Sequence, residues 1–139
     1  CTVEMVSANT YEEFLLPFDL RLAQAHPPFG VHHCGQSCQR LAESYRKIPG
    51  LALLEVGAGS DVAAVCRTCG DLPLNLRFSP IFLLRNSPRD IRGEVRRMFT
   101  AAGEHHLHPE RISMSCVGID AATPDRNVEA FLAAVQEIR

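Results

Sequence analysis

Two histidines and two cysteines crowd into the stretch GVHHCGQSC, residues 30–38. Imidazole nitrogen and thiolate sulfur are ligands that zinc accepts readily. Side chains alternate faces along a strand, so in a strand over FGVHHC (29–34) His32 and Cys34 share one face and His33 takes the other. A His-x-Cys pair at a strand end is a two-ligand clamp. A third ligand is expected from the C-terminal end of another strand, where parallel α/β proteins gather their chemistry. Glu55 closes LALLE and Cys116 closes ISMSC. His32, Cys34 and Cys116 form a His-Cys-Cys set for metal. Glu55 is read as a fourth ligand, or as an acid/base group beside a position left open for substrate.

Plainer readings compete. A buried cysteine is usually a small hydrophobe, and His32 could be a hydrogen-bonded core residue. Cys34-x3-Cys38 with Cys66-x2-Cys69 mimics the paired knuckles of a structural zinc module. That rival is discounted, because Cys38, Cys66 and Cys69 fall in predicted helices where their spacing suits packing. HHLH (105–108) lies in a predicted loop and reads as a solvated, adventitious metal binder.

The elements that must position these groups alternate. TVEMV (2–6) reads as a short strand. A helix follows over 9–26, with Thr10 and Glu13 at capping-box spacing and an apolar stripe of Phe14, Leu15, Phe18 and Leu22. Pro17 should bend or split it. After FGVHHC comes a helix over 35–48, closed by Pro49-Gly50. LALLEV (51–56) is a continuous apolar run, as in a strand buried on both faces. Residues 57–70 make a turn and a short helix, with Asp61 near its start and Gly70 at its end. LPLNLRFS (72–79) is the third strand; Asn75 and Arg77, near its C-terminal end, are the candidate substrate contacts. Ser87-Pro88 opens a helix with Ile91, Val95, Met98, Phe99 and Ala102 on its apolar face. RISMSCVGI (111–119) is the fourth strand. Thr123-Pro124 opens the last helix, with Val128, Phe131, Leu132, Val135 and Ile138 as its buried stripe.

The trailing piece of one βα unit, then four strands each followed by a helix, predict a parallel α/β domain over residues 1–139. Either a small open sheet or half of an eight-stranded barrel fits; a whole barrel needs ~200 residues or more. The chain begins at Cys1 without an initiator methionine, so it is expected to be part of a longer protein. Net charge is −2, and the arginines form no basic stripe interleaved with aromatics, which argues against a nucleic-acid partner. No apolar run approaches a membrane span, and no signal-peptide plan is seen at the N-terminus. Six cysteines in a chain rich in helix and strand patterns favour reduced thiols or a metal in the cytoplasm over a secreted disulfide scaffold.

The segments YEEFLLPFDLRL, VHHCG, LLEVG, SPRDIRGEVRRMFTAAG and SCVGIDAATPDRNVEAFLAAV, in this order, resemble the C-terminal half of the uroporphyrinogen decarboxylase superfamily. The resemblance implies a (β/α)8 TIM barrel, of which this chain supplies the last four βα units. One branch of the superfamily decarboxylates a polycarboxylate tetrapyrrole without metal. The other holds zinc methyltransferases that move a methyl group from a corrinoid protein to a thiol or related acceptor. His32, Cys34 and Cys116 fall on that branch's zinc-ligand positions, and Glu55 matches a glutamate found between the cysteines of a related methyltransferase type. Ser115-Cys116-Val117-Gly118 departs from the usual Gly-Cys-Gly, and LNLRFSP from the usual Gly-Asn-x-Asp-Pro.

The expectation is therefore a cytoplasmic zinc-dependent methyltransferase. Its partners would be a corrinoid protein, a small thiol acceptor, and the N-terminal half of the barrel or a second copy of the chain. A metal-free carboxy-lyase, with Arg77 meeting substrate carboxylates, is the alternative. A non-catalytic half-barrel interaction domain is the third reading, since a half barrel leaves two strand edges open.

Overall fold

The computed structural model describes residues 2–104 and 108–138. Four parallel strands lie in the order β1 (Phe29–His32), β2 (Leu51–Val56), β3 (Leu74–Phe78) and β4 (Ile112–Cys116). Helices run between them: α1 (Ala8–Phe14) and α2 (Leu16–Ala25) before β1, α3 (Ala42–Arg46), α4 (Val62–Cys69), α5 (Pro80–Arg85), α6 (Pro88–Gly103) and α7 (Asp125–Ile138). Each strand pairs with its neighbour in sequence. This is an α/β fold consistent with half of an eight-stranded βα barrel.

The two faces of the sheet differ in kind. Leu54 and Val56 of β2, Leu74, Leu76 and Phe78 of β3, and Ile112 of β4 are buried under the helices. Phe78 meets Phe82 of α5 edge-on at 5.7 Å and Phe131 of α7 at 5.0 Å between ring centres. Asn127 of α7 is buried and donates from Nδ2 to the carbonyls of Leu83 (2.7 Å) and Asn86 (3.0 Å), tying the last helix to the end of α5. The opposite face carries His32, Glu55, Asn75, Arg77, Ser113 and Ser115. In a closed barrel that face is the interior.

Several expectations hold at the level of caps. Asp61 accepts from the Ala64 amide at the start of α4, and Gly70 ends it at φ 63°. Ser87 caps α6, with Pro88 in its first turn, and all five predicted apolar residues of α6 are buried. Ser79-Pro80 repeats that cap signature and opens α5, a helix that was not expected from the sequence. Pro17 splits the first helix, as α1 and α2. The cap of α1 is Ser7, whose hydroxyl accepts from Thr10, and not Thr10 itself.

Other expectations are corrected. TVEMV is not a strand; residues Thr2–Met5 form a 3-10 helix, since β-branched residues make a strand only where a neighbour pairs with them. The helix over 35–48 shrinks to Ala42–Arg46, because the backbone of residues 35–38 bonds to neighbouring loops. β2 is buried on one face only, with Leu53 39% exposed on the other. In α7, Phe131 is buried but Leu132 is exposed. The stripe of Phe14, Leu15, Phe18 and Leu22 faces solvent, while Tyr11, Leu16 and Ala23 make the buried contacts of α1 and α2. Among the described residues, no helix is long and apolar enough to cross a membrane.

Candidate functional site

The strand register builds the site. His32 is the register partner of Glu55, Glu55 of Asn75, Asn75 of Ser113, and Arg77 of Ser115. Register partners in parallel strands project on the same side, so these six residues form one polar surface near the C-terminal strand ends. His32 Nδ1 lies 2.6 Å from Glu55 Oε2. Arg77 Nη1 stands 3.7 Å from Glu55 Oε1, an ion pair too long for a hydrogen bond, while Arg77 Nη2 donates to the Gly35 carbonyl at 2.6 Å. Oε1 of Glu55 is buried and keeps an unfilled acceptor position.

Cys34 lies past the end of β1, so strand alternation does not place it. It is instead brought to His32 by the loop. The neighbouring imidazole holds the exposed thiol below the ordinary thiol range. His32 is shifted the opposite way: the Glu55 carboxylate first, then Cys34, raise its pKa, against a smaller effect of burial. Carboxylate, imidazole and thiol thus form a chain, each favouring the charged form of the next. With Nδ1 turned to Glu55, Nε2 of His32 is the ring atom left for another partner. An outer carboxylate on the second ring nitrogen is the usual arrangement of a metal-ligating histidine.

Cys116 does not join this group. Its register partner is Phe78, so it projects toward the helices and packs against the core, where burial raises its pKa. The residues of β4 on the polar face are Ser113 and Ser115. Among the described residues, no three of His, Cys, Asp and Glu converge so as to hold a metal ion. His32 and Cys34 fit two positions of a zinc site; the full His32, Cys34 and Cys116 set does not fit as these residues stand.

Asn75 is engaged with β4: its Nδ2 donates to Ser113 Oγ (2.9 Å) and its Oδ1 accepts from Ser115 Oγ (2.6 Å). The serines were missed in the sequence, although Ser-x-Ser before Cys116 is the alternation that puts both on one face. Glu4 was missed as well, since it lies far along the chain. Its Oε1 accepts from the Gln36 and Ser37 amides, the latter at 2.8 Å.

His33 projects to the other side, as expected. It is fully buried, with Nδ1 2.8 Å from the Tyr45 hydroxyl, and burial lowers its pKa. Cys38, Cys66 and Cys69 are buried thiols whose pKa values burial pushes up to about 11, the behaviour of packing residues. They make no metal knuckle with Cys34. Of HHLH, His105, His106 and Leu107 lie outside the described residues, and His108 is exposed. A cavity of about 320 Å³ opens beside β1, lined in part by Val3, Tyr11, Phe29, Val31, His32 and Cys34.

A model of the family described as uroporphyrinogen decarboxylase (URO-D) matches residues 1–138. No curated protein matches the chain.

Proposed function

The chain belongs to the uroporphyrinogen decarboxylase family, and from that premise we propose that it carries the C-terminal half of a zinc-dependent methyltransferase, which moves a methyl group from a corrinoid protein to a thiol or related acceptor. The observation that supports this reading is His32 held between Glu55 and Cys34. His32 Nε2 and Cys34 Sγ would be the first two ligands. Zinc, when bound, strips the proton from a thiol and holds the thiolate as a nucleophile. Glu55 orients His32 and is not itself a ligand in this reading. Cys116 would serve as the third ligand only by leaving its place beside Phe78. Arg77, next to Glu55, is the candidate contact for an anionic group of the acceptor, and Asn75 shapes the pocket wall through its two serines.

The exposed stripe of α1 and α2 and the two outer strands, β1 and β4, support a further partner that completes the barrel. That partner is the N-terminal half or a second copy of the chain.

A metal-free carboxy-lyase is the second reading. It is favoured by the separation of Cys116 from His32 and Cys34, and by Arg77 on the polar face. Zinc content separates the two. The chain, purified without a histidine tag, is analysed for zinc alongside Cys34→Ala and Cys116→Ala. Near-stoichiometric zinc that both substitutions abolish supports the methyltransferase with all three ligands. Zinc lost only with Cys34→Ala keeps the site but removes Cys116 from it. A zinc-free protein that takes up none on addition of the metal overturns the methyltransferase reading and leaves the carboxy-lyase.

A further inference from the structure

Glu4 lies near the start of the chain, in the 3-10 helix Thr2–Met5, yet its side chain ends in the loop that carries Cys34. One carboxylate oxygen, Oε1, accepts both the Gln36 and the Ser37 amides. Those bonds, the Ser37 amide first, hold the Glu4 carboxyl below its ordinary range. Arg40 returns a bond from Nη2 to the Glu4 carbonyl at 2.7 Å. From the other sides, Arg77 holds the Gly35 carbonyl, and the Gly59 amide donates to the Gln36 carbonyl at 2.8 Å. Ser60 Oγ accepts from the Cys38 amide at 3.0 Å.

The packing leaves little slack. A Cβ on Gly35 would lie 2.4 Å from Glu4 Cγ and 2.5 Å from His33 Nε2. A Cβ on Gly57 would lie 2.1 Å from the Gly35 carbonyl oxygen. Only glycine permits these approaches. Cys34 is thus the exposed end of a loop bonded on its following residues by three separate elements.

We infer that Glu4 is a positioning residue: by accepting the Gln36 and Ser37 amides it sets the loop at the height that brings the Cys34 thiol to His32. The inference takes Cys34 as the working thiol, as in the proposed function, but its test needs neither zinc nor methyl transfer. The whole chain is treated with iodoacetamide, and alkylation of Cys34 is followed by peptide mass spectrometry. The buried Cys38, Cys66 and Cys69 serve as slow internal references. Amide hydrogen exchange over residues 35–38 is measured in parallel.

Glu4→Ala is expected to raise exchange at Gln36 and Ser37 and to slow Cys34 alkylation by about fivefold or more, the scale of losing a charge-assisted hydrogen bond that fixes a group. Glu4→Gln retains an acceptor oxygen and should restore both readouts. If Glu4→Ala does not fold, Gly35→Ala carries the same test, because its methyl must displace the Glu4 side chain, along with the ring of His33. Unchanged alkylation in a folded Glu4→Ala or Gly35→Ala variant overturns the inference. So does a loss in Glu4→Gln equal to that in Glu4→Ala. A protein without zinc whose Cys34 still depends on Glu4 overturns the methyltransferase reading alone.

Discussion

Glu55 and His32 are register partners on adjacent parallel strands, and their side chains meet at 2.6 Å on the polar face of the sheet. Strand pairing alone brings them together across 23 residues of chain. With Nδ1 facing the carboxylate, Nε2 is left to a ligand or substrate.

Glu55→Gln removes the charge that raises the His32 pKa. The imidazole then becomes neutral at lower pH, and Cys34 loses its cationic neighbour. The thiol pKa should rise toward its ordinary value, so the alkylation-rate profile of Cys34 should move to higher pH. At neutral pH the rate should fall several-fold. Iodoacetamide kinetics over a pH series, with the His32 titration followed by NMR, check both shifts.

Phe78→Ala should be the most costly truncation on the helix side. Phe78 is fully buried and touches the rings of Phe82 and Phe131, so its loss opens a cavity between β3, α5 and α7. Substitutions of this kind cost about 3–5 kcal/mol. Urea unfolding should show the midpoint fall with little change in slope.

Stability should fall on mild acidification because of His33. Its folded pKa is lowered by burial, with Glu4 opposing and Arg77 and Arg40 adding to the effect, while Tyr45 holds Nδ1. Below the ordinary imidazole value of ~6.5 the unfolded chain takes up a proton that the folded chain refuses. Stability is therefore fully present above that value and declines as pH drops toward the folded pKa. Glu4 and Glu12, both held below the ordinary carboxyl value, add a second loss at lower pH. His32, raised, acts in the opposite sense, contributing stability at low pH that is lost as pH rises through its folded pKa. Unfolding midpoints measured over this range, with and without His33→Gln, should show the first step vanish in the variant.

Phe18→Glu should change association more than stability. Phe14, Phe18 and Leu22 are about half exposed, so charging one of them removes little burial from the fold. If this stripe abuts a second copy or the other half of the barrel, the variant should shift size-exclusion elution toward the monomer. Its unfolding free energy should stay within about 0.5 kcal/mol of the parent, as for most surface changes.

The alternation of strand and helix patterns, the caps at Asp61, Ser87 and Gly70, and the buried face of α6 were legible in the chain because each depends on residues a turn or two apart. His32 and Cys34 were legible as a pair for the same reason. The apolar stripe of α1 and α2 was legible, but periodicity marks an apolar face without saying what covers it, and this one is exposed. Cys116 was placed at a strand end correctly but on the wrong side. Its orientation depends on register against β3, where Phe78 claims the helix-facing partner position and Ser115 the polar one. Glu4 and Gly57 act on a loop more than twenty residues away, through contacts that no local pattern encodes. Sequence by itself determined the order of elements and the chemical types at their ends, since propensity and capping are local. Only the tertiary structure decided which of those ends converge, because register and loop packing are set by the sum of many distant contacts.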